Sequence, residues 1–330
     1  MSGLTRKLKV GIVGVGNIAA IAQLPTLADR PDIELTAVVT RRADPSALLR
    51  RWPFEGAYPT VQAMIESVAV DAVFILTPRQ EHAEAVELCL NAGIDVFCEK
   101  PLATRAADAV RLADVADARG RILMVGLNRR FTPVYEAGKE AFEEHGAAFC
   151  IAQKNRNGSE FRATFENSIH MVDLLRWYCG GSPTSVTASS IAPDPWQEEG
   201  VSALVQFDNG HSGVLVAARN AGRWEEKLDA YGSATSVYIE APDRITISAS
   251  GSTSVREIRS ESFGWGTVTK TFGFAKAVEH FIDRVRDRAQ PLTSGREAAL
   301  TQLLLDDILS VAGLPTEEDP QQVWVSHSQA

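Results

Sequence analysis

The feature that most constrains this chain is Gly14-Val15-Gly16-Asn17-Ile18-Ala19, which follows the β-branched run Leu8–Val13 and heads a helical pattern. With a strand before it and a helix after it, the spacing G-x-G-x-x-G/A reads as a dinucleotide loop rather than a ligand-free glycine turn. Gly14 permits the tight turn, and Gly16 lets backbone N–H groups approach a pyrophosphate. Ala19 lets the helix sit close to the sheet at its positive end. Asn17 and Ile18 complete the predicted cofactor loop.

The chain around the loop repeats the same texture. Leu8–Val13, Glu34–Thr40, Asp71–Thr77, Asp95–Glu99 and Arg121–Leu127 are rich in Val and Ile and lack period-2 alternation, as strands buried on both faces do. Between them run helical stripes, such as Ala85, Val86, Cys89 and Leu90, or Ala106, Ala109, Val110, Ala113 and Ala116. A β-α-β-α order with right-handed crossovers predicts a doubly wound parallel sheet over residues 1–127.

Those residues account for less than half of a chain of 330, which is long enough for about two domains of roughly 150 residues each. Past residue 145 the texture shifts to Thr, Ser and Val with turn signals. Strands are expected at Ala147–Arg156, Ser185–Ile191, Val201–Phe207, His211–Arg219, Lys227–Tyr231, Val237–Ala241 and Ile245–Ala249. Helices are expected at Ser168–Tyr178, Phe274–Arg288 and Arg296–Ala312. Asp208-Asn209-Gly210 is a hairpin signal, since Asn-Gly tolerates positive φ. Residues 128–330 are therefore expected to form an α+β substrate-binding and oligomerisation domain around a large, mainly antiparallel sheet, making the whole chain α/β.

A net charge of −9 argues against a nucleic-acid or anionic-membrane partner. Basic Arg6, Lys7 and Lys9 before an apolar stretch mimic a leader, but the glycine spacing gives that stretch a structural role, and no apolar run approaches the roughly 18 residues of a membrane span. Cys89, Cys98, Cys150 and Cys179 form no C-x-x-C pair. A cytoplasmic protein without a metal site is expected.

The end of the second strand selects the cofactor. An NAD site offers Asp or Glu about 20 residues past the loop, to hold the ribose 2′-hydroxyl. Here the sequence reads Thr40-Arg41-Arg42, a hydroxyl and two guanidinium groups suited to a 2′-phosphate. NADP(H) is the expected cofactor and NAD(H) the alternative. A solvated arginine pair on a surface turn is the competing account of these side chains.

Cys98-Glu99-Lys100-Pro101 ends a predicted parallel strand, where open α/β sheets hold their ligands. With Thr77-Pro78, His82, Gly126 and Asn128-Arg129-Arg130-Phe131, this pattern resembles the glucose-fructose oxidoreductase, inositol dehydrogenase and MocA family, over nearly the whole chain. In that family a second motif places an Asp four residues before a His, and another Asp three residues after it. The chain has Glu166, His170 and Asp173, with Glu standing where Asp is usual.

The resemblance implies a Rossmann domain, a nicotinamide cofactor and a sugar, cyclitol or related polyol as small-molecule substrate, with hydride moved to or from a secondary alcohol or ketone. It implies that Lys100 hydrogen-bonds the reacting oxygen and the cofactor ribose. His170 would be the proton donor or acceptor, and Glu166 would orient Lys100 or substrate, with one methylene more of reach. Asp173 would orient His170 or support the fold. Thr77, Pro78, His82, Glu99, Asn128 and Arg130 are expected near the cofactor, although packing at a helix start accounts equally well for His82. Homodimers or homotetramers formed through the open face of the second sheet are also implied.

Lys154, Arg156 and Arg162 make one region basic within an acidic chain. Lys154 and Arg156 are expected to contact substrate, one or more of the three meeting an anionic substituent; a solvated strand edge is the alternative. Two further functions share this fold and stay open: a non-catalytic, cofactor-sensing regulator, and a nicotinamide-dependent lyase or glycosidase with no net redox change.

Overall fold

The computed structural model describes residues 6–17, 19–142, 145–158, 162–165, 167–258 and 267–317. It separates into two compact units. The first holds residues up to Gly126 together with Phe274–Ala299. Its sheet comprises β1 (Leu8–Val13), β2 (Ile33–Val39), β3 (Gly56–Tyr58), β4 (Ala72–Ile75), β5 (Asp95–Cys98) and β6 (Leu123–Val125). The order is β3-β2-β1-β4-β5-β6 and every pairing is parallel. Val10, Ile12, Val73, Phe74, Ile75 and Val96 are fully buried, as the uninterrupted apolar runs require of strands covered on both faces.

The chain fills one side of β1 with β2 and β3 and then returns to build β4, β5 and β6 on the other. The order therefore reverses between β1 and β4, and ligands in such sheets lie beyond the carboxyl ends of strands at that switch. Helix Ala106–Arg119 buries Ala106, Ala109, Leu112, Ala113 and Ala116 and ends at Gly120, which takes the left-handed φ of 60°. The helix after the glycine loop opens as a π-helical turn, Ala19–Gln23, and becomes α-helical over Leu24–Ala28. Pro25, which lacks an N–H for the preceding turn, sits at that change.

Phe274–Ala299, expected within a second domain of residues 128–330, packs in the first unit, so the second unit is not that continuous stretch. Phe281 meets the rings of Phe74 and Phe97 edge-on, at 5.2 and 5.7 Å. Arg286 pairs with Asp32 at 3.1 Å, Arg288 pairs with Asp95, and Thr293 exchanges backbone and side-chain bonds with Val125. Contacts this distant in sequence leave no local signal.

The second unit, Leu127–Gly273 with the chain from Leu300, is built on eight strands. These are β7 (Phe149–Asn157), β8 (Pro183–Ile191), β9 (Gly200–Phe207), β10 (Ser212–Ala218), β11 (Asn220–Gly232), β12 (Thr235–Glu240), β13 (Arg244–Ala249) and β14 (Ser252–Glu257). Their order is β14-β13-β12-β11-β7-β10-β9-β8, antiparallel except where β7 pairs with β10. The Asn209-Gly210 turn joins β9 to β10 as expected, with Gly210 at φ 85°. Two strands have no counterpart among those expected from sequence: β3, only three residues long, and β14, which is exposed at every residue and carries no apolar alternation.

One face of this sheet is covered by helices Pro133–Glu140 and Ile169–Cys179. Cys150, Ala152 and Lys154 of β7 and Glu226, Leu228 and Ala230 of β11 point into it. On the other face Phe149, Leu204 and Tyr238 are exposed.

Candidate active site

Gly14 and Gly16 are glycines for different reasons. Gly14 has φ +87°, and a Cβ there would lie 2.8 Å from Thr77 Cγ2 and 3.1 Å from the Leu76 carbonyl carbon. The meeting of β1 and β4 thus forbids a side chain. A Cβ on Gly16 would meet nothing within 4 Å, so the protein's own packing does not require glycine there. Close backbone approach by a ligand would require it. Beside the loop, the buried Thr77 Oγ1 makes no hydrogen bond. An open glycine and an orphaned hydroxyl fit a dinucleotide held at this loop. Asn17 is exposed, and Ile18 lies outside the described residues.

At the end of β2, the Arg42 N–H donates to Thr40 Oγ1 at 3.3 Å. Arg41 and Arg42 are both exposed, and Arg41 Nη1 pairs with Glu81 Oε1 at 3.0 Å. The neighbouring Pro78 is exposed as well.

Lys100 stands just beyond β5, and its bond to Pro101 is cis. Three side chains fix this turn. The Glu99 carboxylate accepts from Gln23 Nε2 at 2.5 Å and from the Lys100 N–H at 3.2 Å. Burial pushes its pKa up, with Lys100 acting in the opposite direction. Gly126 makes room, since a Cβ there would sit 3.0 Å from Glu99 Oε2. His82, only 1% exposed, sets Nδ1 2.7 Å from the Pro101 carbonyl oxygen and Nε2 2.9 Å from that of Thr77. Burial pushes the His82 pKa down, against the pull of those two carbonyls. His82 is therefore a buried strut joining the Thr77 and Lys100 loops, not a surface presented to cofactor. Gln23 was missed in sequence; a polar residue inside an apolar helical stripe was its only signal.

In the second unit, Ser168 precedes the helix Ile169–Cys179, and His170, 5% exposed, stands in its first turn. Glu166 lies outside the described residues. Asp173 is fully buried and accepts from Arg130 Nε at 2.9 Å, Arg130 Nη2 at 2.7 Å and Thr301 Oγ1 at 3.1 Å. Of its two expected roles, support of the fold is the one these bonds describe. They also tie up Nε and Nη2 of Arg130, a residue expected near the cofactor. Asn128, expected there too, is buried and donates to the Phe272 carbonyl at 2.7 Å.

The basic residues expected to meet substrate divide sharply. Lys154, 2% exposed, pairs with Glu226 at 3.0 Å; Glu226 also binds Arg129 at 2.5 and 3.1 Å and Tyr135 at 3.2 Å. Burial, with Arg129 and Arg156 nearby, lowers the Lys154 pKa to about 7. Burial alone would raise that of Glu226, but Arg129 and Lys154 outweigh it and hold the carboxyl far below its usual range. Arg162 is buried against Glu198 at 2.7 Å. Arg156 is half-buried, with Nε donating to Asn167 Oδ1 at 3.3 Å and its guanidinium 5.6 Å from the Trp224 ring centre. β7 is central in the sheet, so the strand-edge alternative fails. Glu226 went unseen because its partners lie far away in sequence, although the alternation Cys150, Ala152, Lys154 was a legible sign that Lys154 faces inward.

Among the described residues no group of His, Cys, Asp or Glu is arranged to hold a metal, and no helix is long and apolar enough to cross a membrane.

Sheet order and glycine loop define a dinucleotide-binding Rossmann domain, and comparison with known proteins makes this specific. Residues 8–127 match the GFO/IDH/MocA oxidoreductase family with its NAD-binding Rossmann fold, and residues 154–238 match the C-terminal domain of the same family. The chain belongs to the GFO/IDH/MocA family of oxidoreductases. It is 28% identical to inositol 2-dehydrogenase of Rhizobium meliloti, over 91% of this chain and 95% of the relative. Solved structures share the fold. An Agrobacterium radiobacter oxidoreductase in complex with NAD+, L-tartaric acid and magnesium aligns with TM-score 0.81 at 20% identity, over 93% of this chain and 96% of that one. A 3-ketoreductase of Actinomadura kijaniata, in complex with TDP-benzene and NADP, aligns with TM-score 0.75 at 22% identity, over 92% of this chain and 97% of that one.

Proposed function

We propose that this oxidoreductase uses NADP(H) and interconverts a secondary alcohol and a ketone on a sugar, cyclitol or related polyol. The observation that carries the chemistry is the fixed Lys100 turn beyond β5, braced by Glu99, Gln23 and His82. Bound at the glycine loop, the nicotinamide would supply or accept the hydride.

Lys100 is the group that hydrogen-bonds the reacting oxygen, where an ammonium stabilises developing alkoxide charge. His170 donates or accepts the carbinol proton, and Glu166 orients Lys100 or the substrate. Gly14, Gly16, Asn17, Ile18 and Thr77 form the cofactor cradle, with Pro78 and Glu99 beside it. Thr40, Arg41 and Arg42 receive the 2′-phosphate; the absence of a carboxylate from these three positions supports NADP(H) over NAD(H). The inositol dehydrogenase relative supports a polyhydroxylated substrate. Exposed Phe149, Leu204 and Tyr238 support association through the open sheet face as a homodimer or homotetramer. Four buried, unpaired thiols support a reducing cytoplasm.

Fluorescence titration with NADPH and NADH tests the cofactor assignment. NADPH should bind about tenfold or more tightly, and the double variant Arg41→Ala, Arg42→Ala should erase the difference. A preference for NADH would overturn it.

A further inference from the structure

Among the described residues Arg129, Lys154 and Arg156 gather around one carboxylate, Glu226, on the helix-covered side of the second sheet. Arg129 and Lys154 are buried on Glu226, and Arg156 lies two residues beyond Lys154 on the same face of β7. Among the described residues cations outnumber carboxylates here, and Arg156, within the field of Glu226, is bonded to neither of its oxygens. Among the described residues it makes no ion pair, and its single hydrogen bond uses Nε. Asn167 and Trp224 hold the guanidinium from two sides and leave the Nη1 and Nη2 edge, four N–H donors, without a hydrogen bond. Lys154 and Arg162, the other basic residues of this region, are consumed by Glu226 and Glu198. Asn167 sits three residues before His170, so the open guanidinium edge is built onto the turn that presents the acid–base histidine.

We propose that Arg156 receives an oxyanion carried by the substrate, a carboxylate or a phosphate, so that the enzyme's substrates are acidic sugars or cyclitols rather than neutral ones. This rests on the oxidoreductase reading above and narrows its substrate class. A planar guanidinium pinned at Nε and by a ring face offers its remaining edge for a two-point contact with an oxyanion. An anion there would balance the surplus charge and favour the protonated form of Lys154.

Two arms test the proposal on the full-length protein. In the first, acetate and inorganic phosphate are titrated at constant ionic strength while tryptophan fluorescence is read, with Trp224→Phe as the blank that isolates the Trp224 signal. A saturable Trp224 response, lost in Arg156→Met and weakened in Arg156→Lys, is expected. A response that never saturates, or is unchanged in Arg156→Met, overturns the proposal. In the second arm, kcat and KM are measured for galactose, galacturonate and galactose 6-phosphate.

One anionic member should exceed galactose in kcat/KM by about tenfold to a hundredfold, mainly through KM, and Arg156→Met should abolish the margin. Which member wins identifies carboxylate or phosphate. Equal use of the neutral sugar, or a margin that survives Arg156→Met, contradicts the proposal. Thermal melts confirm that each variant is folded, and Arg156→Lys replaces Arg156→Met where the latter is not. Saturable anion binding without hydride transfer to any substrate would refute the oxidoreductase reading and leave the anion site standing. Turnover of neutral polyols without anion binding would do the reverse.

Discussion

The two units treat charge in opposite ways. In the first, the strands carry charge only towards their amino ends, at Lys9, Glu34 and Asp95, and the polar chemistry of the candidate site lies in loops beyond their carboxyl ends: Gly14, Thr77, Glu99 and Lys100. In the second, charges are built into the sheet itself, with Glu226, Lys154 and Arg129 under the helices and Arg130 locked on Asp173. The difference teaches where each unit is vulnerable. A loop position with open space around it, such as Gly16, can be altered with little effect on the fold, because no core contact is lost. A buried pair broken on one side leaves a desolvated charge.

The largest expected effect follows from that contrast. Glu226→Ala should destabilise the protein by about 3–5 kcal/mol in denaturant unfolding, because Arg129 and Lys154 lose their shared partner. Adding Lys154→Met should recover part of the loss. If Glu226→Ala were neutral, the buried network would not hold the second unit together.

A paired glycine test sharpens the comparison within the first unit. Gly14→Ala should cost roughly 1–3 kcal/mol, since the new Cβ meets Thr77 and Leu76 at a left-handed φ. Gly16→Ala should change stability by less than about 0.5 kcal/mol yet weaken dinucleotide binding. Thermal melts with and without NADPH measure both. Equal binding by wild type and Gly16→Ala would remove the cofactor from that loop.

The smallest expected effect is on acid stability. Because the folded pKa of Glu226 is depressed, the stability it contributes is fully present above the ordinary glutamate value near roughly 4.3 and is lost as pH falls below it. Lys154 acts in the same sense at higher pH. Its folded value of about 7 lies below that of the unfolded lysine, so its burial penalty fades as pH rises through 7 and stability increases. Glu226→Gln should flatten the acid limb of a melting-temperature profile; an unchanged limb would assign it to other carboxylates.

The first unit was legible because its site is local. The glycine loop, Thr40-Arg41-Arg42 and Glu99-Lys100-Pro101 each lie within a few residues, and β1 begins and ends where the apolar run does. What escaped depends on distant partners. His82 is fixed by carbonyls five and nineteen residues away, and Arg129 meets Glu226 ninety-seven residues on. Arg130 and Asn128 were expected at the cofactor through the family resemblance, and nothing in the local sequence signalled their bonds to Asp173 and Phe272. Phe281 returns to the first core only through tertiary packing.

The most direct test follows nicotinamide absorbance with NADP+ and a panel of neutral and acidic polyols, and with NADPH and the matching ketones, for wild type and Lys100→Met. Hydride transfer in the wild type should fall by about 10²–10⁴-fold in kcat in the variant while NADPH still binds. Undiminished turnover by Lys100→Met, or a wild type that binds cofactor yet reduces and oxidises nothing, would contradict the account.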